Sequence, residues 1–181
     1  MKIYVETSRL ILREMLPTDI DGMFELDSDP LVHTYLGSKP VQTRENSAQM
    51  IEKVRQQYIN QGIGRWAIVE KASGKFIGWS GLKLYFDMSF NGRSNFHDIG
   101  YRLIPRFWGK GYATEAALAT LDYGFNILKL DAIVGLADVN NLASNTILKK
   151  IGLRYIEKFI YEDQDVNWYE LKNFEYGEEM S

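Results

Sequence analysis

The sequence predicts a mixed α/β fold in which a central sheet of about seven strands packs against about four helices. Short segments with apolar residues at every second position are typical of strands, and longer segments with apolar residues three or four positions apart are typical of helices. The two kinds of segment follow in the order β-α-α-β-β-β-α-β-α-β-β. No internal repeat, low-complexity tract or flexible linker divides the chain, so we expect a single domain over residues 1–181, with its core at about residues 8–171.

The first third of the chain predicts one strand and two helices. Residues 9–14 alternate in the manner of a strand, with the two leucines of this segment on one face. Thr18 is the expected N-cap of a short helix, because an acid follows three residues later. Thr43 opens a longer helix, and Gly62 lies just after its end.

The middle of the chain predicts three strands. Residues 64–70 and 76–85 form a hairpin around a tight turn. Residues 86–96 are expected to form a long polar loop with exposed aromatic side chains. A further strand covers residues 97–104 and stops at Pro105.

The last third of the chain predicts two helices and three strands. A helix over residues 112–128 precedes a short apolar segment, residues 131–137, which is typical of a buried strand. A second helix over residues 141–151 ends at Gly152, after two lysines that suit its C-terminus. The two closing strands lie near residues 155–161 and 166–171.

Composition excludes several classes of function. The formal charge of −3 argues against a nucleic-acid binder, since such proteins show a net basic face. The absence of cysteine excludes disulfides, thiolate metal sites and a cysteine nucleophile, and two histidines are too few for a His-rich site, so no metal is expected. The N-terminus lacks the apolar stretch of a signal peptide, and no run of residues is apolar enough to span a membrane. We therefore expect a cytoplasmic protein with no membrane partner.

The segment over residues 105–114 carries the clearest chemical signal. It joins a predicted strand to a predicted helix, with Gly109 and Gly111 just before the helix begins. The free N–H groups and the dipole of a helix N-terminus attract anions, and glycine lets the backbone approach a phosphate closely. The pattern is not a P-loop, because Ile104 replaces the leading glycine, and not a dinucleotide fingerprint, because Thr114 replaces the third glycine. A purely structural turn remains the alternative.

A series of short motifs extends from about residue 6 to residue 171. They are Arg9-Leu10-Ile11-Leu12-Arg13, Ser28-Asp29-Pro30, Trp66-Ala67-Ile68, Phe76-Ile77-Gly78, Ile99-Gly100-Tyr101, Trp108-Gly109-Lys110-Gly111-Tyr112-Ala113-Thr114-Glu115-Ala116, Asn141-x-x-Ser144 and Lys150-Ile151-Gly152-Leu153. In this order and spacing they resemble the GNAT superfamily of N-acetyltransferases, in the subgroup of ribosomal-protein-alanine N-acetyltransferases. The resemblance implies a single GNAT-like domain with a partly splayed sheet, and an enzyme that acetylates a primary amine.

The same resemblance implies how acetyl-CoA binds as the co-substrate. Backbone N–H groups of the turn hold its pyrophosphate, the end of the preceding strand hydrogen-bonds its pantetheine arm, and the start of the next helix meets its amides. The implied residues are Gly109, Lys110, Gly111, Tyr112, Ala113 and Thr114 at the turn, Leu103 and Ile104 at the strand, and Asn141 and Ser144 at the helix. By residue type alone, the last two are also ordinary helix-capping residues.

Acetyl transfer by direct attack needs a proton acceptor, because an amine with a pKa of ~10.4 is protonated at neutral pH. The resemblance implies Asp98 as the general base, since the family often has a glutamate at this position. His97 and a water held by Asp98 remain alternatives, as does a purely structural acid. Neighbouring residues of a strand face opposite sides, so only one of the two side chains can face the cleft. A backbone N–H of the strand ending at Leu103 would stabilise the oxyanion.

The group that protonates the leaving thiolate departs from the family pattern. Many members carry a tyrosine four positions before the helix-ending glycine, and Leu148 occupies that position here. Ser144, one turn earlier on the same face, is the remaining catalytic candidate, although coenzyme A is a good enough leaving group to need no dedicated acid.

The sequence leaves the acetyl acceptor open. A protein N-terminus follows from the resemblance, and a small amine such as a polyamine, an amino acid or an antibiotic is the alternative. The loop over residues 86–96 is expected to shape the acceptor site, because loops vary more readily than scaffolds. A non-catalytic CoA-binding module is the alternative from another class, and both a monomer and a homodimer remain open.

Overall fold

The computed structural model describes residues 1–37 and 39–179. The strands are β1 (Ile3–Glu6), β2 (Leu10–Arg13), β3 (Arg65–Glu70), β4 (Lys75–Tyr85), β5 (Phe96–Leu103), β6 (Ala132–Asp138), β7 (Arg154–Tyr161) and β8 (Gln164–Lys172). They form one sheet of eight strands in the order β1-β2-β3-β4-β5-β6-β8-β7. The mixed α/β fold is confirmed, with one strand more than predicted, because the N-terminal segment folds back and pairs with β2.

The sheet is partly splayed between β5 and β6, the one parallel pair among the strands that the structure describes. Their ladder contains just the pairs of Asp98 with Val134 and of Ile99 with Gly135, whereas β6 and β8 pair over seven residues. Beyond Ile99 the two strands separate and leave a V-shaped gap that opens toward their carboxyl ends. The predicted splay is confirmed, and the backbone of β5 has a free edge along the gap.

Five helices flank the sheet in the part of the chain that the structure describes. They are α1 (Ile20–Ser28), α2 (Arg44–Gln61), α3 (Tyr112–Asp122), α4 (Leu142–Lys150) and α5 (Asn173–Glu179). Thr43 caps α2 as predicted, since its hydroxyl accepts a hydrogen bond from the Asn46 N–H at 3.3 Å. Gly62 ends this helix with a φ of 72°. None of the helices described is long and apolar enough to cross a membrane.

Two helix predictions differ from the structure. Thr18 is not an N-cap, because it lies inside a 3-10 turn before α1, where the Asp19 carboxylate accepts from the Leu16 N–H at 2.8 Å. The helix predicted over residues 112–128 consists of α3 and a following π-helical turn, Tyr123–Ile127. The α5 helix lies beyond the predicted elements.

The helices cover both faces of the sheet. The α3 helix lies on one face, where Thr120 Oγ1 is 3.3 Å from Ser80 Oγ of β4. Tyr101 of β5 pairs with Ser80 across the ladder and therefore shares that face, and α4 contacts β6 and α3 there. The α1 helix lies on the other face, where Asp27 forms an ion pair with Arg102 at 2.7 Å.

The aromatic residues of the predicted loop over residues 86–96 are not all exposed. Phe86 is exposed as expected, but Phe90 is buried and packs edge-on against Phe96. The loop folds back because Phe90 and Arg93 exchange backbone hydrogen bonds at 2.8 and 2.9 Å. A second, smaller aromatic cluster therefore forms beside the main core.

Candidate active site

The predicted anion-binding turn lies between β5 and α3. Gly109 and Gly111 have φ angles of 71° and 80°, a backbone conformation that favours glycine, and Gly111 is the N-cap of α3. Within the described part of the chain, no acceptor bonds the backbone N–H groups of residues 109–114. These donors stand at the positive end of a helix dipole, so the turn fits a pyrophosphate.

The side chains of this turn contact the protein itself. The Tyr112 hydroxyl donates to Glu70 at 2.5 Å, so only the backbone N–H of Tyr112 is available to an anion at the turn. We call the backbone N–H groups of residues 109–114 the N–H cradle. The Lys110 ammonium lies 5.2 Å from the ring centroid of Phe107 and forms no ion pair among the described residues. Lys110 therefore retains a positive charge that can neutralise a bound phosphate.

Arg9 holds the turn in place from the start of β2. Its guanidinium donates to the Lys110 carbonyl at 2.9 Å and to the Glu115 carboxylate, in the first turn of α3, at 2.6 Å. Burial alone would raise the pKa of Glu115, but hydrogen bonds from Thr7 and Arg9 lower it below its usual value. Sequence reasoning missed this pair, although Arg9 opens one of the family motifs.

The end of β5 turns alternate backbone groups toward the gap. The Ile104 N–H donates to Ile77 O at 3.0 Å, and the Ile104 carbonyl accepts from the Phe107 N–H at 2.9 Å. Because hydrogen bonds of an antiparallel ladder alternate sides, the N–H groups of Leu103 and Tyr101 point away from β4 and into the gap. The Ile104 N–H is therefore already bonded to β4, whereas the N–H groups of Leu103 and Tyr101 face the gap.

The α4 helix begins at the open end of the gap and is anchored by a buried amide. Asn141 caps the helix, because its side-chain oxygen accepts from the Ser144 N–H at 3.1 Å, whereas the Ser144 hydroxyl caps nothing. Asn145 donates to the Asn141 carbonyl at 2.8 Å and accepts from Asn167 and Tyr169 of β8 at 2.8 and 2.7 Å. These bonds fix the position of Ser144 relative to the sheet. The sequence had not indicated Asn145.

The Tyr101 side chain crosses from β5 to α4. Its hydroxyl donates to the Ser144 carbonyl at 3.1 Å and lies 3.2 Å from Ser144 Oγ. Burial raises the pKa of Tyr101 above its usual value, so the hydroxyl keeps its proton at neutral pH. Leu148 is buried against Gly135 and brings no polar group to the gap. Sequence reasoning missed Tyr101 as a site residue, although the motif Ile99-Gly100-Tyr101 contains it.

Asp98 lies at the point of the V, on the face opposite to Tyr101. Its carboxylate is buried and forms an ion pair with Arg65, whose guanidinium also donates to the Asp98 carbonyl at 2.8 Å. Burial raises the pKa of Asp98, and the charge of Arg65 opposes this rise. His97 is half-buried on the other face of β5, and burial lowers its pKa. The side chains of the two base candidates therefore lie on opposite faces of the gap.

Among the described residues, no cluster of three or more His, Cys, Asp or Glu side chains is suited to hold a metal ion.

Known proteins are similar to this chain in sequence and in overall fold. The family model of the acetyltransferase (GNAT) domain matches residues 9–154. The Bacillus subtilis protein YkkB, which is uncharacterized, is 35% identical over 178 residues, covering 96% of this chain and 98% of YkkB. The spermidine N(1)-acetyltransferase of Escherichia coli K12 is 26% identical over 152 residues, covering 83% of this chain and 76% of the enzyme. A crystal structure of a GNAT-family acetyltransferase from Bacillus anthracis superimposes with a TM-score of 0.79 at 27% identity, covering 96% of this chain and 99% of that one. Since the family model spans most of the sequence, this chain belongs to the GNAT family of N-acetyltransferases.

Proposed function

We propose that this enzyme transfers the acetyl group of acetyl-CoA to a primary amine, which attacks the thioester directly. One observation carries the proposal: the N–H cradle of residues 109–114 stands beside a gap in the sheet that has a carboxylate on one face and two hydroxyls on the other. The resemblance to ribosomal-protein acetyltransferases supports a protein N-terminus as the acceptor. The spermidine-acetylating relative supports a small amine.

Bound acetyl-CoA supplies an activated acetyl thioester. The N–H groups of residues 109–114 hold its phosphates, together with the charge of Lys110. The N–H groups of Leu103 and Tyr101 donate to the oxygens of its acyl arm, and the side-chain N–H2 group of Asn141 meets its amides. The hydrogen bonds around these donors keep them in place before binding, so little reorganisation is needed.

Asp98 accepts the proton of the amine, either directly or through a water. Burial moves its pKa toward the operating pH, which makes a carboxylate a better base. The ion pair with Arg65 holds the carboxylate in one orientation. His97 can serve instead only for an amine that approaches from the face of α3 and α4.

We expect the leaving thiolate to lie beside Ser144. A serine hydroxyl is a weak acid, so we expect it to position the sulfur through a hydrogen bond, while its 3.2 Å contact with the Tyr101 hydroxyl holds it in place. Because Asn141 and not Ser144 caps α4, replacing Ser144 removes no cap. The effects of Ser144 on catalysis and on stability are therefore separable.

The release of CoA thiol, followed with a thiol reagent, tests the proposal. Acetyl-CoA is incubated with spermidine, amino acids and short peptides that carry a free N-terminus. We expect thiol release that depends on the amine, and a lower kcat with little change in melting temperature for Ser144→Ala. Binding of acetyl-CoA without release for any amine would contradict the proposal and favour the non-catalytic module.

A further inference from the structure

The gap in the sheet opens on two faces, and only one of them carries the proposed cofactor groups. Tyr101, Ser144 and the start of α3 lie on one face. The other face is built from alternate residues of β4 and β5, together with Arg65 of β3, and it carries three cations. This basic face comprises Arg65, Trp79, Lys83, Tyr85 and Arg102, with Asp98 at the point of the V. It is the side from which an acceptor would reach Asp98.

Arg65 is set into the floor of the basic face. Gly81 and Gly100 stand directly opposite each other in the ladder between β4 and β5. A Cβ atom added at Gly100 would lie 2.7 Å from Arg65 Cζ, so the guanidinium occupies the space that a side chain would fill. Arg65 also donates to the Gly81 carbonyl and pairs with Asp98. The Arg65 guanidinium is therefore held in a fixed position beside Asp98.

The acids on this face are already neutralised. Asp98 is buried and paired with Arg65, and Asp27 is buried and paired with Arg102. Lys83 is half-buried directly opposite Asp98 and forms no ion pair among the described residues. The remaining acid near Lys83 is Asp87, an exposed loop residue whose charge the solvent screens. Lys83 is thus the uncompensated charge of the face.

The aromatic rings of the basic face are occupied by the chain's own cations. The guanidinium carbons of Arg65 and Arg102 lie 5.3 and 5.0 Å from the ring centroid of Trp79, and Lys83 Nζ lies 4.1 Å from that of Tyr85. A polyamine needs free carboxylates or free aromatic faces to hold its ammonium groups. Apart from the exposed Asp87, the described residues of the basic face offer neither.

We propose that the acetyl acceptor is a primary amine that also carries a carboxylate, and that the ammonium of Lys83 binds this carboxylate. The inference rests on the proposed acetyl transfer and names its substrate class. Lys83 and Asp98 are opposite residues of neighbouring strands, and such residues lie ~5.5 Å apart at Cα. A compact acceptor, with the carboxylate a few bonds from the amine, can therefore reach both groups at once, as an amino acid does.

The test compares acceptors that differ only in the carboxylate. Thiol release from acetyl-CoA is measured with L-phenylalanine, L-methionine and β-alanine, each beside its carboxamide, and with spermidine. Each rate is divided by the concentration of the unprotonated amine, because a carboxamide lowers the pKa of the neighbouring amine relative to a carboxylate. We expect kcat/KM for each acid to exceed that of its amide by roughly 10- to 100-fold, the range of a charge-assisted hydrogen bond. In Lys83→Gln the acid-to-amide ratio of kcat/KM should fall toward one. The control is Lys53→Gln, which removes the same charge at an exposed position on α2 and should leave the ratio unchanged.

Three results would overturn the inference. The first is that spermidine or the amides are acetylated as efficiently as the acids. The second is that the acid-to-amide ratio is unchanged in folded Lys83→Gln. Either result would contradict recognition of a carboxylate by Lys83 and leave the proposed acetyl transfer intact. No thiol release with any amine would remove the proposed function together with the inference. Melting temperatures show that the variants are folded, so a changed ratio reports on the site.

Discussion

Gly111→Asp and Gly111→Asn are changes of equal size that differ by one charge in the N–H cradle. The backbone φ of 80° strains both side chains by about 1–2 kcal/mol at most, and Asn and Asp tolerate this conformation better than other residues. Space is available, because an added Cβ has its nearest neighbour, Arg9 Nη2, at 3.4 Å. The comparison of the two variants therefore isolates the effect of the charge.

The expected loss of acetyl-CoA affinity follows from the distance between the new carboxylate and a bound phosphate. Two unit charges ~4 Å apart repel by about 1 kcal/mol in water and about 4 kcal/mol in a partly buried site. Since about 1.4 kcal/mol changes affinity tenfold, Gly111→Asp should bind acetyl-CoA roughly 5- to 700-fold more weakly than Gly111→Asn. Arg9 lies within reach of the new carboxylate and partly neutralises it, so we expect the lower half of this range.

Isothermal calorimetry of acetyl-CoA binding at two salt concentrations measures the effect. The difference between the variants should shrink at high salt, because the Debye length falls from ~10 Å at 0.1 M to ~3 Å at 1 M. Equal Kd values for the two folded variants at low salt would refute the reasoning, since no phosphate could then lie beside Gly111.

Three further changes test the rest of the site. Arg65→Gln removes the positive charge that lowers the Asp98 pKa, so this pKa should rise further and the acid limb of the kcat/KM profile should move to higher pH; a limb that stays in place would exclude Asp98 as the base. Tyr101→Phe should lose about 1 kcal/mol of stability with its hydrogen bond, lower the melting temperature by ~2–4 °C and reduce kcat, and full activity would leave Tyr101 with a structural role only. Leu148→Ala should lower the free energy of unfolding, measured in urea, by about 2–5 kcal/mol. The control is Leu142→Ala on the same helix, which should change it by less than ~0.5 kcal/mol because the Leu142 side chain is 74% exposed. Similar losses for the two variants would contradict the packing of α4.

The sequence by itself determined the local elements and the strand-to-helix turn with its two glycines. Their signals are local: the hydroxyl of Thr43 caps the helix that follows it, and Gly109 and Gly111 supply the positive φ that a strand-to-helix turn needs. The order of short motifs was sufficient for the family, because each motif occupies a set place in the chain. The Thr18 prediction failed where two local signals competed, since Asp19 takes the capping role through a 3-10 turn.

Only the tertiary structure decided which chemical groups meet. Tyr101 and Ser144 are 43 residues apart, and Arg65 and Asp98 are 33 residues apart, so no local pattern pairs them. The register between β4 and β5 decided that Ile104 turns its N–H toward β4 and away from the gap. A shift of one residue would reverse this, because backbone groups and side chains alternate along a strand. The register depends on how all the strands pack together, and a single strand's sequence does not contain that information.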